Sequence, residues 1–348
     1  MRTRPEPRYV SLPQAKKAST FRKNGASHIG ITQPRRSHGS QVARDRRPAP
    51  WFMEPPVYGN FRRYYGMRRA RAVGHEGSVA VRADGVDERV LALVAWCKAH
   101  ATRIRRIERV LDVGCNAAKP LLELCQLLDP PPTQAVGVDI DAHLVAQARS
   151  ALRRAWSQRQ PAATSTSIEA MHYFPTCFTS LMGQLPLPSS RASFPTNVTF
   201  VAQDWMDGTV AAQYDLILCL SLTKWIHLHH GDEGLVRFFG RIVQSLRPGG
   251  IVAMEIQPWQ SYSQARSLSR SLRVSHARLR IRPDDMEWIL CLLGMTSLGP
   301  IAQGAGFGFV RSVCVFQAPP TQVERIPACF GWPWVERRPN KLAPPTPR

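Results

Sequence analysis

Acidic residues are scarce in this chain. Its 348 residues hold 25 Asp and Glu against 46 Lys and Arg, a formal net charge of +21. Such an imbalance favours a polyanionic partner, of which nucleic acid is the commonest, over a small uncharged ligand alone. A generic basic, solvated surface would give the same count. Long apolar runs are missing too: none approaches the ~20 consecutive apolar residues of a membrane-spanning helix, so a soluble protein with no membrane partner is expected. The eight cysteines include no Cys-x-x-Cys pair. That leaves neither zinc-site spacing nor a disulfide framework and suits reduced thiols in the cytosol or nucleus. Gly-x-Gly-x-x-Gly, the cradle for a dinucleotide pyrophosphate, is absent. So is any obvious Ser/His/Asp or paired-carboxylate arrangement. His227, His229 and His230 have no Cys or carboxylate at ligand spacing, and no metal is expected.

The charge is unevenly spread. Residues 1–50 carry twelve Lys and Arg against Glu6 and Asp45, an excess of ten, with no apolar periodicity. They read as a disordered basic arm. An organelle transit peptide, a nuclear signal and a nucleic-acid-binding arm all fit that composition. Nuclear or cytoplasmic residence is expected, with organelle targeting as the other reading. Residues 318–348 are Pro-rich and read as an extended tail.

Between these ends, strand-like and helix-like patterns alternate. Helical spacing runs over 86–101, 121–128, 142–157, 235–246 and 282–293, the last with Pro283 near its start. Strand patterns run over 109–113, 135–139, 197–202, 215–220, 251–256 and 310–317. Residues 158–196 are Ser/Thr/Pro-rich and read as an insertion loop. Arg247-Pro248-Gly249-Gly250 reads as a helix-ending turn. The alternation implies an α/β fold, with a mostly parallel sheet and helices on both faces.

The strand ends carry the chemistry. Val110-Leu111-Asp112-Val113-Gly114-Cys115-Asn116 closes the first strand with an acid, a glycine and a small polar residue. A glycine there lets the backbone pass close to a ligand and turn into a helix. Asp139 closes the second strand, where an acid hydrogen-bonds the ribose hydroxyls of an adenosine cofactor. Gln203-Asp204-Trp205 follows the third, placed for an adenine amino group and ring face. An adenosyl group without phosphates fits best, and S-adenosylmethionine is the usual one. The final strand, after Gly304, Gly306 and Gly308, fits the antiparallel hairpin that ends the mostly parallel seven-stranded sheet of Rossmann-like class I methyltransferases. After the fourth strand comes Leu220-Ser221-Leu222-Thr223-Lys224-Trp225-Ile226-His227. A buried strand followed by Ser, Thr, Lys, Trp and His opens toward a ligand, because ligands sit at the carboxyl ends of strands in open α/β sheets. Packing of Trp225 and His227 under a loop is the other reading.

These residues resemble the Bicoid-interacting-protein-3 type methyltransferases, which include the RNA methylphosphate capping enzymes. The resemblance spans roughly residues 57–317. It rests on Val57-Tyr58-Gly59-Asn60-Phe61-Arg62-Arg63-Tyr64-Tyr65-Gly66-Met67-Arg68, on Leu111-Asp112-Val113-Gly114-Cys115-Asn116, on Gly137-Val138-Asp139-Ile140-Asp141 and on residues 218–227. Gly231-Asp232-Glu233-Gly234, Leu246-Arg247-Pro248-Gly249-Gly250 and Gln257-Pro258-Trp259 add to it. It implies a methyltransferase domain over 51–317, with 51–85 as an N-terminal lid, that moves a methyl group from S-adenosylmethionine to the 5′-terminal phosphate of a small non-coding RNA. Ribonucleoprotein partners go with that substrate. The implied catalytic set is Tyr58, Arg68, Ser221, Lys224, Trp225 and His227. Asn60, Asp112, Gly114, Asn116, Asp139, Asp204, Trp205 and Leu220 would hold the cofactor. Tyr64, Tyr65, Trp259, Arg266, Arg270 and Arg311 would meet the RNA. Read from the residues themselves, Trp259 stacks on a base or wedges the exit of the fifth strand, and Arg266, Arg270 and Arg273, spaced three to four apart, form a helical stripe for phosphates or one solvated face. The chain departs from the family at Ala118, where a glycine is usual, at His229-His230, and in its final strand, where only Arg311 of an Arg-Pro-x-Tyr pattern survives. Two alternatives follow: a weakly active or inactive RNA-binding protein on the same fold, and a methyltransferase with a non-RNA acceptor.

Overall fold

The computed structural model describes residues 57–59, 85–161, 166–189, 193–208, 213–302 and 312–321. The basic arm, most of the lid with Asn60, Tyr64, Tyr65 and Arg68, and Arg311 lie outside the described residues. So does most of the Pro-rich tail.

Helix α1 (Glu88–Ala99) precedes β1 (Arg109–Val113), α2 (Lys119–Leu127), β2 (Gln134–Asp139) and α3 (Ala142–Gln158). Two short helices, α4 (Ile168–Met171) and α5 (Thr176–Leu181), follow before β3 (Val198–Ala202) and β4 (Tyr214–Cys219). Next come α6 (Thr223–Ser245), β5 (Leu246–Glu255), α7 (Trp259–Ala265) and α8 (Arg270–Arg278). A 3₁₀ turn at Pro283–Asp285, α9 (Met286–Leu292), β6 (Thr296–Ala302) and β7 (Val313–Gln317) complete the order.

The strands form one seven-stranded sheet in the order β3-β2-β1-β4-β5-β7-β6. The first five are parallel; β7 runs antiparallel to both neighbours, with Ala253 opposite Val315. Strands buried on both faces need apolar residues on both, and the central ones have them. Val110, Leu216, Leu218, Ile251 and Ala253 face a core layer beneath α1, α2 and α3. Leu111, Ile217, Cys219, Val252 and Met254 face the opposite layer with Phe238, Phe239 and Ile242 of α6. The order reverses at β1/β4, the topological switch point where such sheets bind ligands.

Several sequence expectations need correction. Helix α6 begins at Thr223, twelve residues before the expected start, and bends at Gly231 (φ 69°, ψ −172°). The segment after β4 is therefore helix, not loop. The expected loop over 158–196 contains α4 and α5. The expected helix over 282–293 divides into the 3₁₀ turn and α9, and Leu246 already pairs with Tyr214 as strand. The expected arginine stripe is broken: Arg266 caps the end of α7, whereas Arg270 opens α8 after the Ser269 N-cap.

Candidate functional site

A cavity of about 410 Å³ opens at the carboxyl ends of β1, β2 and β4, within the range of ligand pockets. Its first half is built from strand ends. Gly114 has φ +73°, and a Cβ there would lie 3.0 Å from the Leu222 side chain, so the turn needs glycine. The Gly114 and Cys115 N–H groups donate to the Val138 carbonyl at 2.8 and 3.0 Å. Asn116 (φ +52°) and Ala118 (φ +60°) also take left-handed backbone. Pro120 falls in the first turn of α2, where its missing N–H costs nothing.

Asp139 holds this turn in place. Its Oδ2 accepts from Asn116 N at 2.8 Å and its Oδ1 from Asp141 N at 2.9 Å. Each oxygen keeps a lone pair for a ligand hydroxyl. Burial raises its pKa despite those bonds. Asp112 is 2% exposed, and burial pushes it up to about 7, with Arg89 pulling down and Asp139 adding to the rise. Asp204 accepts from Met206 N at 2.8 Å. Trp205 meets Phe238 edge-on at 5.6 Å and has the Arg241 guanidinium 5.0 Å from its ring centre. Arg241 also bonds the carbonyls of Asp207 and Gly208. Asp112, Gly114, Asn116, Asp139, Asp204, Trp205 and Leu220 all line this half.

The second half is built on helix starts. Ser221 (φ +63°) donates to Glu255 Oε2 at 2.7 Å. The same oxygen accepts from Arg89, which also grips Asp87. Neither Arg89 nor Glu255 is marked in the sequence, because 166 residues separate them. Leu222 cannot cap α6 with a side chain. Instead, Gln257 Oε1 accepts from Thr223 Oγ1 at 2.7 Å and from Lys224 N at 3.1 Å. Lys224 Nζ lies 4.6 Å from the Trp225 ring centre and 3.5 Å from the Ser261 carbonyl oxygen.

Val57, Tyr58 and Gly59, from the segment expected to form a lid, reach this half. A Cβ on Gly59 (φ +71°) would stand 2.0 Å from the Trp225 ring, so only glycine fits against it. Tyr58 packs on His229 at 4.8 Å between ring centres. His229 Nε2 donates to the Val57 carbonyl at 2.9 Å. Burial lowers the His229 pKa against the effect of that bond.

Tyr58, Ser221, Lys224 and Trp225 thus come together, but His227 does not join them. It is fully buried and absent from the cavity lining. Its Nε2 pairs with Asp232 Oδ1 at 2.7 Å and its Nδ1 with the Tyr262 hydroxyl at 3.3 Å. Asp232 also accepts from Arg280 N and Ile281 N. Desolvation opposes ionisation of Asp232, but these hydrogen bonds, His227's foremost, bring its pKa below the usual range. The correction has a geometric cause. On a strand, 225 and 227 share a face; on a helix, 225 and 229 face the cavity while 223 and 227 turn inward. The core period continuing backward from Phe238 and Leu235 through Asp232 and Leu228 to His227 was the available signal, hidden by its polar members.

Trp259 is likewise corrected. It stacks on Tyr262 at 4.9 Å and His276 at 4.6 Å, with Arg282 4.0 Å from its ring centre, and does not line the cavity. Arg266 and Arg270 are exposed outside it. Among the described residues, no three His, Cys, Asp or Glu cluster as a metal site.

The strand order, the antiparallel seventh strand and a cavity at the switch point define a class I methyltransferase fold. Residues 214–318 match the family described as Bicoid-interacting protein 3 (Bin3). The human 7SK snRNA methylphosphate capping enzyme is 33% identical over 290 residues, covering 74% of this chain and 39% of that protein. A probable RNA methyltransferase of Arabidopsis thaliana is 28% identical over 277 residues, covering 75% and 80%. A pre-miRNA 5′-monophosphate methyltransferase of Xenopus laevis is 30% identical over 170 residues, covering 47% and 54%. The chain spans about two fifths of the human relative's length. Residues 214–318 carry a Bin3 domain, and the chain as a whole is similar to Bin3-type methyltransferases.

Proposed function

We propose that this chain is an S-adenosylmethionine-dependent RNA methyltransferase acting on a 5′-terminal phosphate. The carrying observation is the two-part cavity. A half with adenosyl-compatible strand ends runs into a half that presents Lys224 beside Trp225 and Tyr58. The activities for which the relatives are named, methylphosphate capping and RNA 5′-monophosphate methylation, agree with that division.

The first half fits the cofactor. Gly114 gives close backbone approach, the lone pairs of Asp139 suit ribose hydroxyls, and Asp204 with Trp205 suits an adenine edge and face. S-adenosylmethionine supplies an electrophilic methyl group on sulfur. What the protein must add is placement of the acceptor. A 5′ phosphate is mostly dianionic at neutral pH, its second pKa being about 6. It is already a nucleophile, so no general base is needed. Lys224 neutralises a phosphate oxygen that does not attack, since a cation gripping the attacking oxygen would blunt it. The Trp225–Tyr58 wall excludes water, and rate comes chiefly from held geometry. His229 closes the lid: its Nε2 hydrogen is committed to Val57, which leaves Nδ1 as an acceptor with no proton to give a phosphate.

The domain under this reading spans 51–317, with 51–85 as the lid. Support for the lid comes from Val57–Gly59 packed on His229 and Trp225. Asn60, Tyr64, Tyr65, Arg68 and Arg311 belong to the proposed lid and RNA path by resemblance. A small nuclear RNA in the human relative's name supports nuclear residence and ribonucleoprotein partners.

The test is transfer of labelled methyl to one RNA bearing a 5′-triphosphate, a 5′-monophosphate or a 5′-hydroxyl. Label on phosphorylated ends only is expected, with Lys224→Ala reducing it about 10–100-fold, as for loss of a charged hydrogen bond. Equal labelling of the 5′-hydroxyl RNA would sink the reading.

A further inference from the structure

Gln257 is 1% exposed and lines the cavity. Its orientation is fixed by chemistry. The backbone N–H of Lys224 can only donate, so the side-chain oxygen must face it, as it does at 3.1 Å. The same oxygen takes the Thr223 hydroxyl at 2.7 Å. The amide nitrogen is thereby turned away from the start of α6, and its two N–H groups have no partner among the described residues. Nε2 is not sealed in the interior but opens to the cavity, where a ligand acceptor can complete its hydrogen bonds. Four residues on, in α7, the Ser261 hydroxyl is buried with no hydrogen-bond partner among the described residues, a costly arrangement, and the residue lines the same wall. Lys224 Nζ sits 3.5 Å from the Ser261 carbonyl oxygen. An amide, a hydroxyl and an ammonium therefore share one corner, all able to donate.

That donor set has the chemistry of an oxyanion site. A terminal phosphate presents three outer oxygens; if one attacks, the other two need ligands. Lys224 serves one. A neutral amide serves the second with less withdrawal of charge from the attacking oxygen than another cation would cause. We propose that Gln257 is the second phosphate ligand, donating from Nε2 to a non-attacking oxygen of the acceptor, with Ser261 supporting it. Because its other atom fixes the first turn of α6, one side chain sets both the position of Lys224 and the place of the phosphate. This inference rests on the phosphate-acceptor reading above.

Gln257→Glu separates the two roles: the acceptor toward Thr223 and Lys224 N persists, and the donor is replaced by an anionic oxygen. The full chain, saturated with S-adenosylhomocysteine at pH 8, is titrated with one short RNA carrying a 5′-monophosphate or a 5′-hydroxyl. For Gln257→Glu, the expected result is a preference for the phosphate end reduced about 10–100-fold. Its melting temperature and its affinity for S-adenosylhomocysteine stay near those of the wild type. Ser261→Ala, which cannot disturb the cap, is expected to lose about threefold or more. If Gln257→Glu melts much lower, Ser261→Ala decides, and an unchanged preference overturns the proposal. A full phosphate preference in a well-folded Gln257→Glu, or a loss confined to S-adenosylhomocysteine affinity, also overturns it. A wild type that does not distinguish the two ends removes the phosphate reading itself, and this inference with it.

Discussion

The two halves of the cavity are held by different kinds of bond. In the cofactor half, side chains anchor backbone close by in the fold: Asp139 accepts from Asn116 N and Asp141 N, and Asp204 from Met206 N. In the acceptor half, side chains distant in sequence hold one another. Gln257 caps α6 across 33 residues, Glu255 holds Ser221 across 34, and Asp232 ties His227 to the backbone of Arg280 and Ile281. The first kind is rigid and nearly independent of side-chain choice elsewhere. The second makes the geometry around Lys224 depend on a buried polar network, where losing one member strands the others.

The sharpest way to break this comparison is His227→Ala. It leaves Asp232 buried without its closest partner, and breaking such a pair costs about 3–5 kcal/mol. At about 2–4 °C per kcal/mol for a domain of this size, the melting temperature is expected to fall by roughly 6–20 °C. An unchanged melt with methyl transfer abolished would return His227 to the reacting groups and undo the contrast between halves.

Asp112→Asn probes the cofactor half. Burial raises the folded-state pKa of Asp112 from the ordinary carboxylate range, about 4, to about 7, so the folded protein holds a proton that the unfolded chain has released. Stability therefore declines as pH rises from about 4 to about 7, and the loss is complete above that. Asn carries no such dependence. Relative to the wild type without cofactor, Asp112→Asn is expected to gain about 2–3 kcal/mol between pH 5 and pH 8. Thermal melts at the two pH values measure it, and parallel curves would contradict it.

The smallest effect is expected at Ala118, whose φ of +60° would suit glycine. Left-handed backbone costs a non-glycine residue about 1–2 kcal/mol, partly offset by the greater freedom of an unfolded glycine. Ala118→Gly should stabilise by about 0.5–1 kcal/mol, and a lower melting temperature would show that the Ala118 methyl group contributes more by packing than it costs in strain.

The same contrast explains what the sequence discloses. The ends of β1, β2, β3 and β4 are visible because an apolar run followed by a small or acidic residue is a local pattern. The start of α6 is not, because Thr223, His227 and Asp232 occupy core-facing positions with polar side chains. Strand β6 escapes notice because Gly299 and Pro300 interrupt it and its register shifts twice beside β7. Arg89 and Glu255 are invisible for another reason, and Gln257 shows only as a motif member without a role: each acquires its partner only when the sheet closes.

The bend at Gly231 has a consequence for how the chain can diverge. Beyond it, α6 is an apolar strut carrying Leu235, Phe238, Phe239 and Ile242 into the core. Before it lie only two turns, and they present Lys224, Trp225 and His229 to the cavity where the acceptor is proposed to bind. Only the cavity-facing positions of those turns can change without renegotiating the interior, because Thr223, His227 and Leu228 are buried in it. The scaffold can thus be inherited while the recognition face drifts.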